Sequence, residues 1–387
     1  MYAQDEAVEL LPGCDLRCRG CDHRHLTAAA SEAQKSEWLH RALAPWGERL
    51  APLRAVREAE RIGYRDRVRL AAAWSDEAGW QIGQRLRDKT VVPTFDCPVE
   101  SPRVRATLAV LRHTLPPAAE FPLYYFVQTG AQVALVVKSA RMPQSAWLDD
   151  ALRARLAAAG VEGLWLHLFP SAGRRPFGKG GWHLLWGTPR SRDALGLLHG
   201  PAAFAQPLSS LYAASLDEAE QFLAPGAEDL VIDLYCGRGA SMQRWRMRGA
   251  QAVGVEAGGE AVLCAQENAA GATVLRGLCA QRLPQIAAAC RTHARPPLLY
   301  LNPPRTGLEA EVTQWIGEAR PARIAYLSCS AGTLRRDLAL LESAGYEVAR
   351  LTPYDFFPRT RHVESLTLLQ RSAGRAPALA RSAGPGE

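Results

Sequence analysis

From residue 230 onward the chain alternates short apolar runs with amphipathic stretches. The first run, Leu230–Leu234, leads straight into the glycine turn Asp233-Leu234-Tyr235-Cys236-Gly237-Arg238-Gly239. Runs at Ala252–Glu256, Thr273–Leu275, Leu298–Leu301 and Arg323–Leu327 read as strands, residues 259–269 and 332–344 as helices, and 346–351 and 364–370 as two closing strands. Alternation of this kind predicts an α/β fold, a Rossmann-like doubly wound and mostly parallel sheet at the C-terminus. The glycine turn lets backbone approach a ligand at a helix N-terminus. Glu256 ends the next strand about 20 residues on, where a carboxylate can hold ribose hydroxyls. Two ligand classes suit such a turn, a dinucleotide or S-adenosyl-L-methionine (SAM). The third glycine of the dinucleotide pattern would fall at Met242, a side chain that would crowd the contact between helix and strand, so SAM is favoured.

The chain upstream has a different rhythm. Residues 28–50 read as a helix, with Trp38, Leu39, Ala42 and Leu43 at helical spacing. Strand-like runs such as Val68–Ala71 and Val133–Val137 follow, mixed with helices around 103–114 and 146–159 and a strand at 163–169. This half is expected to be α+β without a clear parallel pattern. The chain divides near residue 200, and the tail 373–387, rich in Ala, Gly, Ser, Arg and Pro, is expected to be disordered. With 387 residues, 48% hydrophobic and 22% charged, the composition is that of a globular protein large enough for two or three cores. The apolar stretch Phe121 to Val137 is broken by Gln128-Thr129-Gly130-Ala131-Gln132 and reads as strand, turn, strand rather than a membrane span. No basic segment followed by an apolar run opens the chain, so a cytoplasmic location is expected. The net charge of +7 suits an anionic partner, although an arginine-rich, alanine-rich composition accounts for it equally well.

Three short signatures carry the chemistry: Asn302-Pro303-Pro304-Arg305, Ser328-Cys329-Ser330 and His362-Val363-Glu364. Each stands beside a predicted strand. C5 of uracil is too weak a nucleophile to take a methyl group unaided. A thiolate adding at C6 activates C5, and a base must then remove the C5 proton so that the thiolate can leave. One cysteine, one carboxylate and a polar group that reads the base edge are what this needs. Taken singly, Cys329 reads as a buried strand-end thiol, Glu364 as a solvated carboxylate and Asn302 as a turn residue. Together, at the carboxyl edge of one sheet, they read as an active site.

The wording of these motifs carries a family resemblance. Asp-Leu-Tyr-Cys-Gly (233–237), Asn-Pro-Pro-Arg-x-Gly (302–307), Leu-Ser-Cys-Ser (327–330) with Thr333-Leu334-x-x-Asp337, and Phe357-Pro358-x-Thr360-x-His362-x-Glu364 resemble the RNA (uracil-C5)-methyltransferase family. Upstream, Phe204-Ala-Gln206 is similar to that family's Phe-x-Gln-x-Asn element, and Gly63-Tyr64-Arg65-Asp66-Arg67 to its Gly-Tyr-Arg-Asn-Lys element. Asn302 in place of the usual Asp resembles the branch acting on 23S rRNA without an extra N-terminal β-barrel. The resemblance implies a transferase of the EC 2.1.1 class, active in rRNA processing, with Cys329 as nucleophile and Glu364 as the proton-abstracting base. Gln206 and Asn302 would contact uracil, Gly237 and Glu256 would bind SAM, and Tyr235 and Gln206 would lie close by. Leu208, Asp66, Cys279 and Ser330 depart from the family pattern. Neither thiol nor base is lost. A cytosine-C5 enzyme and a catalytically inactive RNA-binding relative remain the alternatives.

Cys14-x3-Cys18-x2-Cys21, with Cys97 later, offers four soft ligands in a chain whose nine cysteines are not expected to form disulfides. Zinc and an iron–sulfur cluster both suit such a set. The triplet alone also matches a radical-SAM signature, against which Cys97 counts as a fourth ligand. The resemblance implies a four-cysteine [4Fe–4S] cluster. The organisation expected is therefore a cluster segment of residues 1–26 with Cys97, a central RNA-binding domain 27–203, a methyltransferase domain 204–372 and the tail. RNA contacts are expected from Tyr64–Arg69 and from Arg174-Arg175-Pro-Phe177-Gly-Lys179, stretches that mix basic and aromatic groups. No membrane and no obligate protein partner is expected.

Overall fold

The computed structural model describes residues 10–173 and 175–372; the start of the expected cluster segment (1–9), Arg174 and the tail 373–387 lie outside the described residues. The chain forms two compact units, each assembled from separate stretches of sequence. Of the described residues, the first takes 10–33, Val56–Ser209 and Phe356–Arg361; the second takes Gln34–Ala55, Ser210–Asp355 and 362–372.

The first unit is built on a seven-stranded sheet. Its strands are β1 (Arg67–Ser75), β2 (Gly79–Arg85), β3 (Val91–Pro93), β4 (Leu123–Thr129), β5 (Gln132–Val137), β6 (Gly163–Leu168) and β7 (Trp182–Gly187), in the order β3-β2-β1-β4-β5-β6-β7. All neighbours pair antiparallel except β5 and β6, which are parallel. The parallel pair needs a crossover, supplied by α3 (Asp150–Ala158), whose N-cap Asp149 accepts the Leu152 N–H at 2.7 Å. Helix α2 (Pro102–Leu111) starts with Ser101 as N-cap and Pro102 in the first turn, where a missing N–H costs nothing. Val104 and Leu108 of α2 and Leu152 and Leu156 of α3 pack with Val68, Leu70, Phe126 and Leu135 of the sheet in one apolar core. A small hairpin-like pair, β8 (Ser191–Arg192) and β9 (Leu198–His199), follows.

Helix α1 (Ala28–Ala42) ends earlier than its periodicity suggests, and Ala44–Arg49 form a 3-10 turn instead. Pro45 explains the break, because it offers no N–H to continue the α-helical ladder. In the second unit Lys35 and Asp355 form a fully buried ion pair at 2.6 Å.

The rest of the second unit follows the alternation read from sequence. Helix α4 (Ser209–Leu223) leads into β10 (Leu230–Leu234), α5 (Ala240–Met247), β11 (Gln251–Glu256), α6 (Gly259–Asn268), β12 (Thr273–Arg276), α7 (Cys279–Arg291), β13 (Leu298–Leu301), α8 (Ala310–Ala319), β14 (Arg323–Ser328), α9 (Ala331–Ser343), β15 (Tyr346–Tyr354) and β16 (Glu364–Arg371). The sheet order is β12-β11-β10-β13-β14-β16-β15. Its first five strands are parallel, and β16 enters antiparallel beside β14 with β15 antiparallel at the edge. Every residue of β10 and β13 is buried, as expected of central strands covered on both faces.

Candidate active site

The sheet order reverses between β10 and β13, since β11 and β12 lie to one side of β10 and β13 and β14 to the other. A crevice for ligand opens outside the carboxyl ends of the strands at such a switch point. The chain turns there through three left-handed residues, Tyr235 at φ 60°, Gly237 at φ 56° and Gly239 at φ 82°. For tyrosine this conformation is strained, and such strain persists only where surroundings fix it. The Gly237 N–H donates to Glu256 Oε2 at 3.0 Å, and the Gly258 N–H donates to Glu256 Oε1 at 2.6 Å, so this carboxylate is held at the mouth of the turn. A Cβ on Gly237 would point into open space, which leaves its backbone accessible to a ligand.

Met242 is fully buried, as the absence of the dinucleotide glycine requires, and the room it needs is provided from the opposite side. Its sulfur lies over Gly254 of β11, where any Cβ would collide with it. Beneath the turn, Asp233 accepts the Trp245 indole N–H at 2.9 Å. Burial pushes its carboxyl up to about 7. Tyr235 donates to Glu309 Oε2 at 3.4 Å, and the same oxygen accepts the Ala280 N–H at 3.1 Å. Cys279 lies in this group, its thiol pushed up to about 12 by burial. Glu309 thus brings a carboxylate to the place where the sequence puts a cysteine instead of an acid.

Asn302 follows β13, half-buried, and its backbone N–H reaches the Leu234 carbonyl at 3.2 Å. The β14–β16 ladder ends with Ser328 opposite Ser365. The residues next to that pair are Cys329, just after β14, and Glu364, the first of β16. Cys329 is partly buried and Glu364 buried. Burial pushes the Cys329 thiol up, the Glu364 carboxylate adds to this, and the Arg305 guanidinium beside the sulfur opposes both. Cys329 also directly precedes Ser330, the N-cap of α9, whose positive helix end favours a thiolate.

Helix α9 also fixes the loop that carries Arg305. The Thr333 hydroxyl donates to the Arg305 carbonyl at 3.3 Å, and Arg336 donates to the Thr306 carbonyl at 3.0 Å. Asp337 Oδ2 accepts the Leu308 N–H at 2.9 Å and the Tyr326 hydroxyl at 2.7 Å. The motif Thr333-Leu334-x-x-Asp337 is therefore a clamp on the loop after Asn302. Arg305 was visible in its motif, but nothing in the sequence tied it to the sulfur. The buried phenols of Tyr212 and Tyr300, within electrostatic reach of Asp233 and Glu364, had no sequence signal beyond lying in apolar runs.

Tyr235, Gly237, Glu256, Asn302, Cys329 and Glu364 all belong to the second unit, at the carboxyl edge of its sheet. Gln206 belongs to the first unit, half-buried in the segment before α4. In that unit Cys14, Cys18, Cys21 and Cys97 line one small pocket, together with Arg24, Thr94, Pro98 and Arg359. Burial raises the thiols of Cys18 and Cys21, and that of Cys97 to about 11. Among the described residues no three His, Cys, Asp or Glu side chains form a group that could hold a metal ion.

A profile of tRNA (Uracil-5-)-methyltransferases matches residues 199–372. The 23S rRNA (uracil(1939)-C(5))-methyltransferase RlmD of Halomonas elongata is 30% identical over 379 residues, covering 91% of this chain and 74% of that protein. The chain belongs to the RNA (uracil-C5)-methyltransferase family. An uncharacterized RNA methyltransferase of Enterococcus faecalis is 35% identical over 160 residues, covering 40% of this chain and 34% of that protein. The crystal structure of Pyrococcus abyssi tRNA (uracil-54, C5)-methyltransferase in complex with S-adenosyl-L-homocysteine superposes with a TM-score of 0.68 at 21% identity, covering 91% of this chain and 86% of that one. The family's fold is thus this chain's fold, and the Rossmann-like sheet is a methyltransferase sheet. No helix among the described residues is long and apolar enough to cross a membrane.

Proposed function

We propose that this chain uses SAM to methylate C5 of a uridine in RNA, 23S rRNA in the first instance, with Cys329 as nucleophile and Glu364 as base. The observation that carries the proposal is the end of the β14–β16 register at Ser328 and Ser365, next to which stand Cys329 and Glu364, the carboxylate near enough to act on the thiol. SAM fits the groups at that crevice: Gly237 with open space before it, Glu256 for ribose hydroxyls, and Tyr235 at the turn. When bound it supplies an electrophilic methyl group. The Cys329 thiolate bonds to C6 of uracil, and its electron pair makes C5 nucleophilic enough to accept that methyl. The Glu364 carboxylate then takes the C5 proton, and the returning electrons restore the C5–C6 double bond and expel the thiolate. Arg305 favours the thiolate at the outset, and Asn302 orients the base through its amide. The family resemblance adds Gln206 as a further contact to the base.

The pocket of Cys14, Cys18, Cys21 and Cys97 is proposed to hold a [4Fe–4S] cluster, which spreads its four thiolates more widely than a single ion does. Four protein ligands leave no iron open, so its part is structural. A ribosomal RNA substrate supports a cytoplasmic location. Two experiments test this reading. RNA carrying 5-fluorouridine at the target lacks the C5 proton, so the covalent complex with Cys329 is expected to persist through denaturing electrophoresis; wild-type protein with SAM and no adduct refutes the mechanism. Protein purified without oxygen is expected to be brown and to contain four iron atoms per chain; colourless protein with stoichiometric zinc refutes the cluster.

A further inference from the structure

Helices α2 and α3 pack on one face of the first unit's sheet. The other face carries a second apolar cluster, with Val127, Ala134, Val136 and Ala172 buried and Tyr124, Tyr125, Trp165, Phe169, Phe177 and Trp182 partly buried around them. Its composition follows from a bulge. The β4–β5 register shifts between Leu123 and Tyr125, so one extra residue sits in β4. Leu123 and Phe126 point into the helix-covered core, while the two residues between them, Tyr124 and Tyr125, both turn to the opposite face. Without Tyr124, Leu123, Tyr125 and Phe126 would alternate in and out as an ordinary strand does. The core therefore has no need of the extra residue. Its effect is to add a second ring to the outer face, 4.7 Å from the first and edge-on to it.

Cations gather around this pair. Arg85 lies 4.3 Å from the Tyr124 ring centre and the Lys138 ammonium also 4.3 Å from it, with Arg69 5.8 Å from that of Tyr125. Arg67, two residues from Arg69 on β1 and so on the same face, stacks 4.9 Å from Phe204, which is 50% exposed. Arg67, Arg69 and Lys138 are exposed, and the tyrosines half-buried. Exposed like charges held side by side call for a polyanion, and half-exposed rings call for flat apolar partners. A single-stranded nucleic acid offers both; a duplex hides its base faces in the stack. An acidic peptide would satisfy the cations and leave the rings idle.

We propose that this face binds an unpaired segment of the RNA that carries the target uridine, with bases stacked at Tyr124 and phosphates met by Arg69 and Lys138. The inference rests on the reading that the substrate is RNA, and it adds a second anchoring place remote in sequence from Cys329. It is tested by fluorescence anisotropy of labelled oligouridine, as a single strand and annealed to oligoadenosine, over a range of salt. Tyr124→Ala is expected to weaken single-strand binding about ten-fold with little change in salt dependence. Arg69→Glu and Lys138→Glu are each expected to weaken it and to lower the salt slope by about one phosphate contact. Calorimetric binding of S-adenosylhomocysteine, equal to wild type in all three variants, shows that the second unit is intact. Unchanged affinity in Tyr124→Ala, duplex bound as tightly as single strand, or displacement by an acidic peptide but not by RNA would each overturn the proposal. The 5-fluorouridine adduct separates the two readings. A Tyr124-dependent affinity without adduct in wild type leaves the platform and removes the mechanism; adduct with an unaltered Tyr124→Ala affinity does the reverse.

Discussion

In the second unit the central strands of a five-stranded parallel run are covered on both faces, and the side chains available for chemistry stand at the strand ends. In the first unit a mostly antiparallel sheet is covered by helices on one face, and its exposed cations lie on the other. A buried parallel sheet concentrates function in the few residues that follow each strand, so Asn302-Pro-Pro-Arg or Ser-Cys-Ser is both a local motif and a piece of the site. A half-covered antiparallel sheet spreads function over alternate residues of several strands. Arg69, Arg85, Tyr124 and Lys138 come from four strands or their ends and form no motif at all.

That contrast can be broken at the strand ends first. Cys329→Ala is expected to abolish both methylation and the fluorouridine adduct, while Glu364→Gln accumulates adduct on ordinary RNA because the C5 proton stays in place. Methylation by Cys329→Ala, measured by mass mapping of modified nucleotides, would remove the strand-end account. The next effect is on stability. Lys35 and Asp355 are both fully buried, so Lys35→Ala leaves a bare carboxylate and is expected to cost about 3–5 kcal/mol in urea unfolding of the second unit. The double change Lys35→Met with Asp355→Leu is expected to recover most of it. A loss under about 1 kcal/mol for the single variant would mean that water reaches the pair. Smaller again is Gly254→Ala, where overpacking against Met242 is expected to cost about 1–3 kcal/mol, relieved by Met242→Ala.

The pH dependence sharpens the same contrast. The Cys329 thiol lies above its ordinary value, so the thiolate fraction, and with it the rate of adduct formation, is expected to rise with pH from neutrality into the alkaline range. Arg305→Ala removes the side chain that lowers it, and the rising limb is expected to move to higher pH. A profile that is flat above pH 7, or unmoved in Arg305→Ala, would show that the guanidinium does not govern the sulfur. Asp233 gives an opposite sign in stability. Its folded carboxyl lies near 7, above the unfolded value of about 3.9. Between those values the unfolded chain ionises first, so stability is expected to fall as pH rises through that window, and Asp233→Asn to flatten the fall.

How far the sequence could be read follows the same division. The strands from Leu230 to Arg371 are visible because each is an apolar run closed by a turn residue; the candidate thiol and amide follow β14 and β13, and the candidate base opens the antiparallel β16. Glu309 and Arg305 escaped because their partners, Tyr235 and Cys329, come from other strands and only the fold brings them near. In the first unit β1, β5 and β6 could be read, yet β2 and β7 could not. Gly79-Trp-Gln-Ile-Gly-Gln-Arg and Trp182-His-Leu-Leu-Trp-Gly mix glycine with aromatics and lack an even alternation. Nor could a bulge be foreseen, since Leu-Tyr-Tyr-Phe reads only as apolar. The early end of α1 was within reach, because Pro45 stands inside the periodic stretch.

Cys329 immediately precedes the cap of α9, and Thr333 and Arg336 of that helix grip the Arg305 loop. Sulfur and guanidinium thus ride on a single rigid carrier. Tilting or sliding of that rod carries both along, so the separation that decides how readily the nucleophile loses its proton is insulated from breathing of the sheet edge. Warming is then expected to loosen the hold on substrate before it disturbs the readiness of the attacking atom.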